Sequence, residues 1–89
     1  MHFEWDRAKA EGNRRKHKVT FDEAVSAFYD PLSATLADPD SPRGQQRLIT
    51  VGLSSQGRLL VVVHTEQGET IRIISARLAT ASERRRHES

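Results

Sequence analysis

Residues 72–89 hold five arginines, Arg72, Arg77, Arg84, Arg85 and Arg86, and the first two interrupt a β-branched segment, TIRIISARLA. A planar guanidinium matches the oxygens of a phosphate. It is costly on a buried sheet surface unless paired or wet. Arg72, Arg77 and the Arg84–Arg86 run are therefore expected to stand unpaired along one phosphate-binding wall. The alternative is an ion pair with a helix carboxylate such as Glu11 or Glu23. His17, in RRKHK, and His64, ending VVVH, add imidazoles that exchange protons near neutral pH. Each also has a structural reading, His17 as a cationic helix C-cap and His64 as a satisfied core residue. His2 and His87 lie near the ends and are set aside. Glu83 is suited to a general base, but a Thr80/Glu83 capping box accounts for it.

Charge is arranged unevenly. Residues 1–30 hold six Lys/Arg against six Asp/Glu, residues 31–71 three against four, and residues 72–89 five against two. The last block's surplus of three, less the middle block's deficit of one, gives the net charge of +2. Arg14, Arg15 and Lys16 form a second basic knot. Two basic patches on a nearly neutral chain favour a polyanion or an acidic partner. There is no cysteine, hence no disulfide or thiolate metal site. DPDSP offers too few ligands for a metal, and no phosphate-binding glycine loop, nucleophile elbow or HExxH stands in the chain. Neither metal nor cofactor is expected. No apolar run reaches the roughly 20 residues of a membrane span, and the N-terminal segment has no hydrophobic signal core. The expectation is a single cytoplasmic domain over residues 1–89, away from membranes.

The elements that must position these groups read as follows. FEWD is an edge strand. Asp6 caps a first helix over about 7–17, with Trp5 and Ala10 at staple spacing. Thr20 and Glu23 form a capping box for a second helix, whose Phe21, Ala24, Val25 and Phe28 make one buried stripe. Asp30-Pro31 stops it. LSATLAD, QRLITVGLSS, RLLVVVHTE and TIRIISARLA read as strands, the last three separated by QG turns. Thr80 opens a C-terminal helix. The predicted fold is α+β, two N-terminal helices packed on an antiparallel β-meander with a short C-terminal helix.

A two-residue Gln67-Gly68 turn pairs His64 with Ile71 and Arg58 with Arg77. In an unbroken strand Arg72 and Arg77 then point to opposite faces, while His64 and Arg77 share a face about 20 Å apart. Whether Ile49, Val51 and Leu53 join either face depends on the length of the SSQGR loop.

In order and spacing, FEWD with Lys9 and Asn13, the KH at 16–17, VTFDEA, DP, the HT ending a strand and IRIISAR followed by ER closely resemble the BrnT family of type II toxin–antitoxin systems. The likeness covers nearly the entire chain. It departs at Lys18, where members usually have glycine, and at Leu78, where a second basic residue is usual. The resemblance implies a RelE-like ribonuclease toxin that cleaves RNA, inhibits translation and arrests growth. It implies a BrnA-like antitoxin with a ribbon-helix-helix part, assembled as a heterotetramer that touches DNA only through the antitoxin. Carried onto this chain, the expected catalytic positions are His17, His64, Arg72 and Arg77. Arg14, Arg15, Lys16, Arg84 and Arg85 are the expected RNA contacts. The rival expectation is a non-catalytic module that holds the antitoxin and tunes repression.

Overall fold

The computed structural model describes residues 1–88. In chain order the elements are β1 (His2–Glu4), α1 (Arg7–His17), α2 (Phe21–Ala27), β2 (Ala34–Ala37), β3 (Leu48–Leu53), β4 (Leu59–Gln67), β5 (Thr70–Leu78) and α3 (Ala81–Glu88). The fold is thus α+β.

Local chemistry sets the helix ends. The Asp6 carboxylate accepts from the Lys9 amide at 2.9 Å and closes the start of α1. At the other end Lys18 takes the left-handed conformation, φ 59°, and its N–H reaches the Arg14 carbonyl. The departure from glycine therefore changes the residue and leaves the turn intact. Thr20 Oγ1 accepts from the Glu23 amide at 3.0 Å. The Glu23 carboxylate, however, turns inward to Arg58 and Ser54, so the expected first capping box is only half formed. The Thr80/Glu83 box closes reciprocally, at 2.8 and 3.1 Å. Helix α2 ends at Ala27, ahead of Asp30-Pro31, and the Asp30 carboxylate instead holds the amides of Leu32 and Leu53.

All five strands join one sheet in the order β1-β5-β4-β3-β2. Strands β2 to β5 are antiparallel neighbours, but β1 pairs parallel with β5, so the sheet is mixed. The β4–β5 hairpin closes at Gln67 and Thr70, one position later than expected, with Gly68 supplying φ +62°. Between Val63/Ser75 and His64/Ile73 the register slips, leaving Ile74 as a β-bulge. The bulge reverses the facing of everything after it in β5. Ala76 thereby joins Leu60, Val62 and Ile73 in the core beneath Val19, Phe21, Ala24 and Ala27. On the outer face, away from α1 and α2, lie Leu59 and Val61 with Ile49 and Val51 beside them. The three-residue loop at 55–57 settles that alignment, since it pairs Val51 with Val61 and Leu53 with Leu59.

Asn13 ties helix to sheet. Nearly buried at 7% exposure, it donates to the Val19 and Ala76 carbonyls and accepts from the Ala76 amide. Gly52 allows α2 to approach β3, because a Cβ there would lie 2.4 Å from the Ala27 carbonyl oxygen.

Candidate active site on the outer sheet face

The bulge at Ile74 brings Arg72 and Arg77 onto one face, since Arg72 pairs with Thr65 and Arg77 with Val61, residues of equal parity on β4. The expectation that they diverge is overturned, because it assumed an unbroken strand. For the same reason His64 and Arg77 do not share a face. His64 sits under the helices, 0% exposed, its ring 4.9 Å from that of Phe28. Its Nε2 is 2.7 Å from Thr50 Oγ1, which is 2.7 Å from Thr35 Oγ1. Its Nδ1 has no hydrogen-bond partner among the described residues, with Glu66 Oε1 standing 4.0 Å away. Burial pushes the imidazole down to about 4.

The arginines are not unpaired either. Arg72 Nη1 meets Glu4 Oε2 at 2.7 Å across the β1–β5 edge. Arg77 Nη1 and Nη2 meet the two Glu83 oxygens at 2.7 and 2.9 Å, and Nη1 also donates to the Leu78 carbonyl at 3.2 Å. Glu11 and Glu23 hold Arg14, Arg15 and Arg58 instead. The Arg77 guanidinium, and after it the Thr80 amide, draw the Glu83 carboxyl down to about 2, so it is ionised at neutral pH. Glu83 raises Arg77 in return.

A trough of about 460 Å³ lies on this face. Its floor is apolar, from Ala34 and Leu36 of β2, Ile49 and Val51 of β3, and Val61 of β4; its wall is Arg77, Glu83, Arg86 and His87. Arg84 lines a separate hollow of about 290 Å³ with Asp30, Leu53 and Leu59, and His87 borders both. Arg85 is exposed and lines neither. The expected single wall of Arg84–Arg86 is therefore divided, because successive helix residues point in different directions. Arg14, Arg15, Lys16 and half-buried His17 lie on α1, on the opposite side of the sheet. Among the described residues no cluster of three or more His, Asp or Glu side chains is arranged to hold a metal ion.

The sequence reading missed Glu83, Arg86 and His87 as one wall. Their spacing, i, i+3 and i+4 from a capping-box glutamate, is the signal that places them on one helix face.

A family model described as the ribonuclease toxin BrnT of type II toxin–antitoxin systems matches residues 5–83. The chain belongs to the BrnT family. No curated protein matches it. The crystal structure of the Brucella abortus ribonuclease toxin BrnT is similar in fold, with TM-score 0.60 and 24% identity over 90% of this chain and 97% of that one. The BrnT match ends at Glu83, so Arg77 and Glu83 fall inside it and Arg86 and His87 outside it. No helix of the described residues is long and apolar enough to cross a membrane.

Proposed function

We propose that this BrnT chain is a metal-independent endoribonuclease of RelE-like design, and that the trough under α3 is where it cuts RNA. The observation that carries the reading is the convergence of Arg77, Glu83, Arg86 and His87 over one apolar floor, with Arg72 on the same face. In this mechanism the RNA 2′-oxygen attacks the adjacent phosphorus and its proton passes to the His87 imidazole. The bond from phosphorus to the 5′-oxygen breaks, and that oxygen takes a proton from solvent, leaving a 2′,3′-cyclic phosphate and a 5′-hydroxyl. Arg77 stabilises charge developing on the phosphate, the preorganised electrostatic role that dominates such sites. Arg72, four β4 positions away or about 13 Å, holds a neighbouring phosphate. The basic end of α1, with Arg14, Arg15, Lys16 and His17, is assigned to flanking RNA, and Arg84 and Arg85 to its outer path. His64 is assigned to the core, since its burial keeps it from substrate.

The apolar floor favours a second role for the same trough. A partner segment with acidic and apolar side chains suits a greasy floor and basic rim, so a BrnA-like antitoxin with a ribbon-helix-helix part would compete with RNA there. In this account the pair forms a heterotetramer in the cytoplasm that meets DNA through the antitoxin, and the freed toxin blocks translation. If antitoxin binding were the whole function, cleavage would be absent. Induction of the intact chain alone is expected to stop growth, with purified protein cutting RNA in EDTA, while Arg77→Ala does neither. Normal growth at good expression of the intact chain would refute the toxin reading, and loss of cleavage on chelation the metal-free mechanism.

A further inference from the structure

An arginine bound to a carboxylate of its own chain looks spent, but the atoms used decide what remains. Arginine carries five N–H donors in a rigid plane. In Arg77 both Nη1 donors are taken, by Glu83 Oε1 and the Leu78 carbonyl, and one Nη2 donor by Glu83 Oε2. Left over are Nε–H and the second N–H of Nη2, which lie side by side on one edge. No acceptor among the described residues meets either. That edge is a complete two-pronged fork for phosphate, on a side chain that lines the trough and keeps 41% exposure.

Two other ion pairs between elements, Arg58–Glu23 and Arg72–Glu4, differ. Arg58 gives its Nε and Nη2 to Glu23 and Nη2 again to the Lys18 carbonyl, so its side-on edge is consumed. Arg72 keeps its edge but is held by one bond to an exposed glutamate, so its plane is not fixed. Of these three arginines, Arg77 alone combines an open side-on edge with a pinned partner. Glu83 accepts from the Thr80 amide and its own amide is capped by Thr80 Oγ1, whereas Glu23, held likewise by Ser54 and Thr20, already occupies the side-on edge of Arg58.

We infer that Glu83 is a positioning residue: it grips the far edge of Arg77 so that the Nε/Nη2 edge is presented, preset, to a phosphodiester in the trough. The inference rests on the ribonuclease reading above. It explains why an ionised carboxylate stands beside an anion site. The energy lost to its repulsion of substrate is offset by an orientation that the phosphate need not impose, and preorganisation of that kind acts on the chemical step more than on ground-state binding.

The test follows the Arg77 Nε–H signal in ¹⁵N-labelled protein, titrated with an uncleavable 2′-O-methyl RNA hexamer, beside cleavage kinetics on the unmodified RNA. The Arg77 Nε–H signal is expected to shift and to exchange more slowly with water on binding. Glu83→Gln retains an acceptor for the capping box and is expected to fold, melting somewhat below the parent chain because the ion pair is lost. Its kcat should fall roughly tenfold to a hundredfold, the scale seen when an outer partner that orients a functional group is lost, with KM unchanged or lower. Arg77→Lys keeps the charge without the fork and should lose kcat while binding the hexamer within about threefold of the parent. An Arg77 Nε–H signal unmoved by the hexamer, or Glu83→Gln cleaving at the parent rate, overturns the inference. If that signal moves but the intact chain cuts no RNA, the anion seat stands and the ribonuclease reading falls.

Discussion

Replacing Asn13 with alanine tests the joint that holds the site together. Asn13 makes three hydrogen bonds, two donated by Nδ2 to the carbonyls of Val19 and Ala76 at 2.9 and 2.8 Å, and one accepted by Oδ1 from the Ala76 amide at 3.0 Å. Alanine leaves two carbonyls and one amide without their partner in a region that is 7% exposed at Asn13 and 0% at Val19 and Ala76. A hydrogen bond contributes about 1 kcal/mol net, and stranding a buried polar group costs about 1–3 kcal/mol. The expected loss is therefore about 3–5 kcal/mol. Chains of this size have a total stability of roughly 4–13 kcal/mol, so the variant should be near the edge of folding. Urea denaturation followed by circular dichroism is the assay, with a lower midpoint and an unchanged slope as the expected result. Asn13→Asp sharpens it: the Ala76 amide keeps its acceptor, but a carboxylate oxygen replaces the amino group facing two carbonyls, so aspartate should be no better tolerated than alanine. A loss under about 1 kcal/mol in both variants would refute the reasoning, and would mean that β5 keeps its bulged register without this clamp.

Gly52→Ala should destabilise by about 1–3 kcal/mol, because its Cβ would meet the Ala27 carbonyl oxygen at 2.4 Å and α2 has to move; a melting temperature within about 2 °C of the parent would count against that close approach. Lys18→Gly should stabilise by roughly 0.5–1 kcal/mol, the relief of a left-handed non-glycine residue less the added freedom of the unfolded chain, and an unchanged or lower urea midpoint would contradict the cap geometry. His64 is held neutral with its pKa down at about 4. Below the ordinary value near 6.5 the unfolded chain binds a proton that the folded chain refuses, so this stability is complete above pH 6.5 and drains as pH falls through 4, by up to roughly 3 kcal/mol. The pH dependence of the urea midpoint between 7 and 4 should flatten in His64→Leu, and parallel profiles for the two proteins would rule this out. Glu83, drawn down to about 2, adds a second acid loss: its contribution is complete above the ordinary carboxylate value near 4.5 and is lost as pH falls from there through 2.

Local patterns settled much in advance. Asp6 and Thr20 mark the two helix starts through side chains that accept from amides three residues on, and the strand segments follow from β-branched residues bounded by glycine turns. The five arginines pointed to anion chemistry because no apolar core explains them, and the motif series pointed to the BrnT family. These signals depend on neighbours within about four positions, which a linear reading contains. The facing of the site was decided elsewhere. One bulged residue, Ile74, turns Arg77 from the side of His64 to the side of Arg72, and nothing in IRIISAR announces it. It is selected by contacts far along the chain: Asn13 bonded to Ala76, sixty-three positions away, and Ala76 buried against the helices. Ion-pair choice was decided in the same way, for Glu23 is claimed by Arg58 and Glu83 by Arg77 once packing sets which charges lie within reach. Sequence fixes what each segment can form alone; only closure of the chain determines which sides of those segments meet.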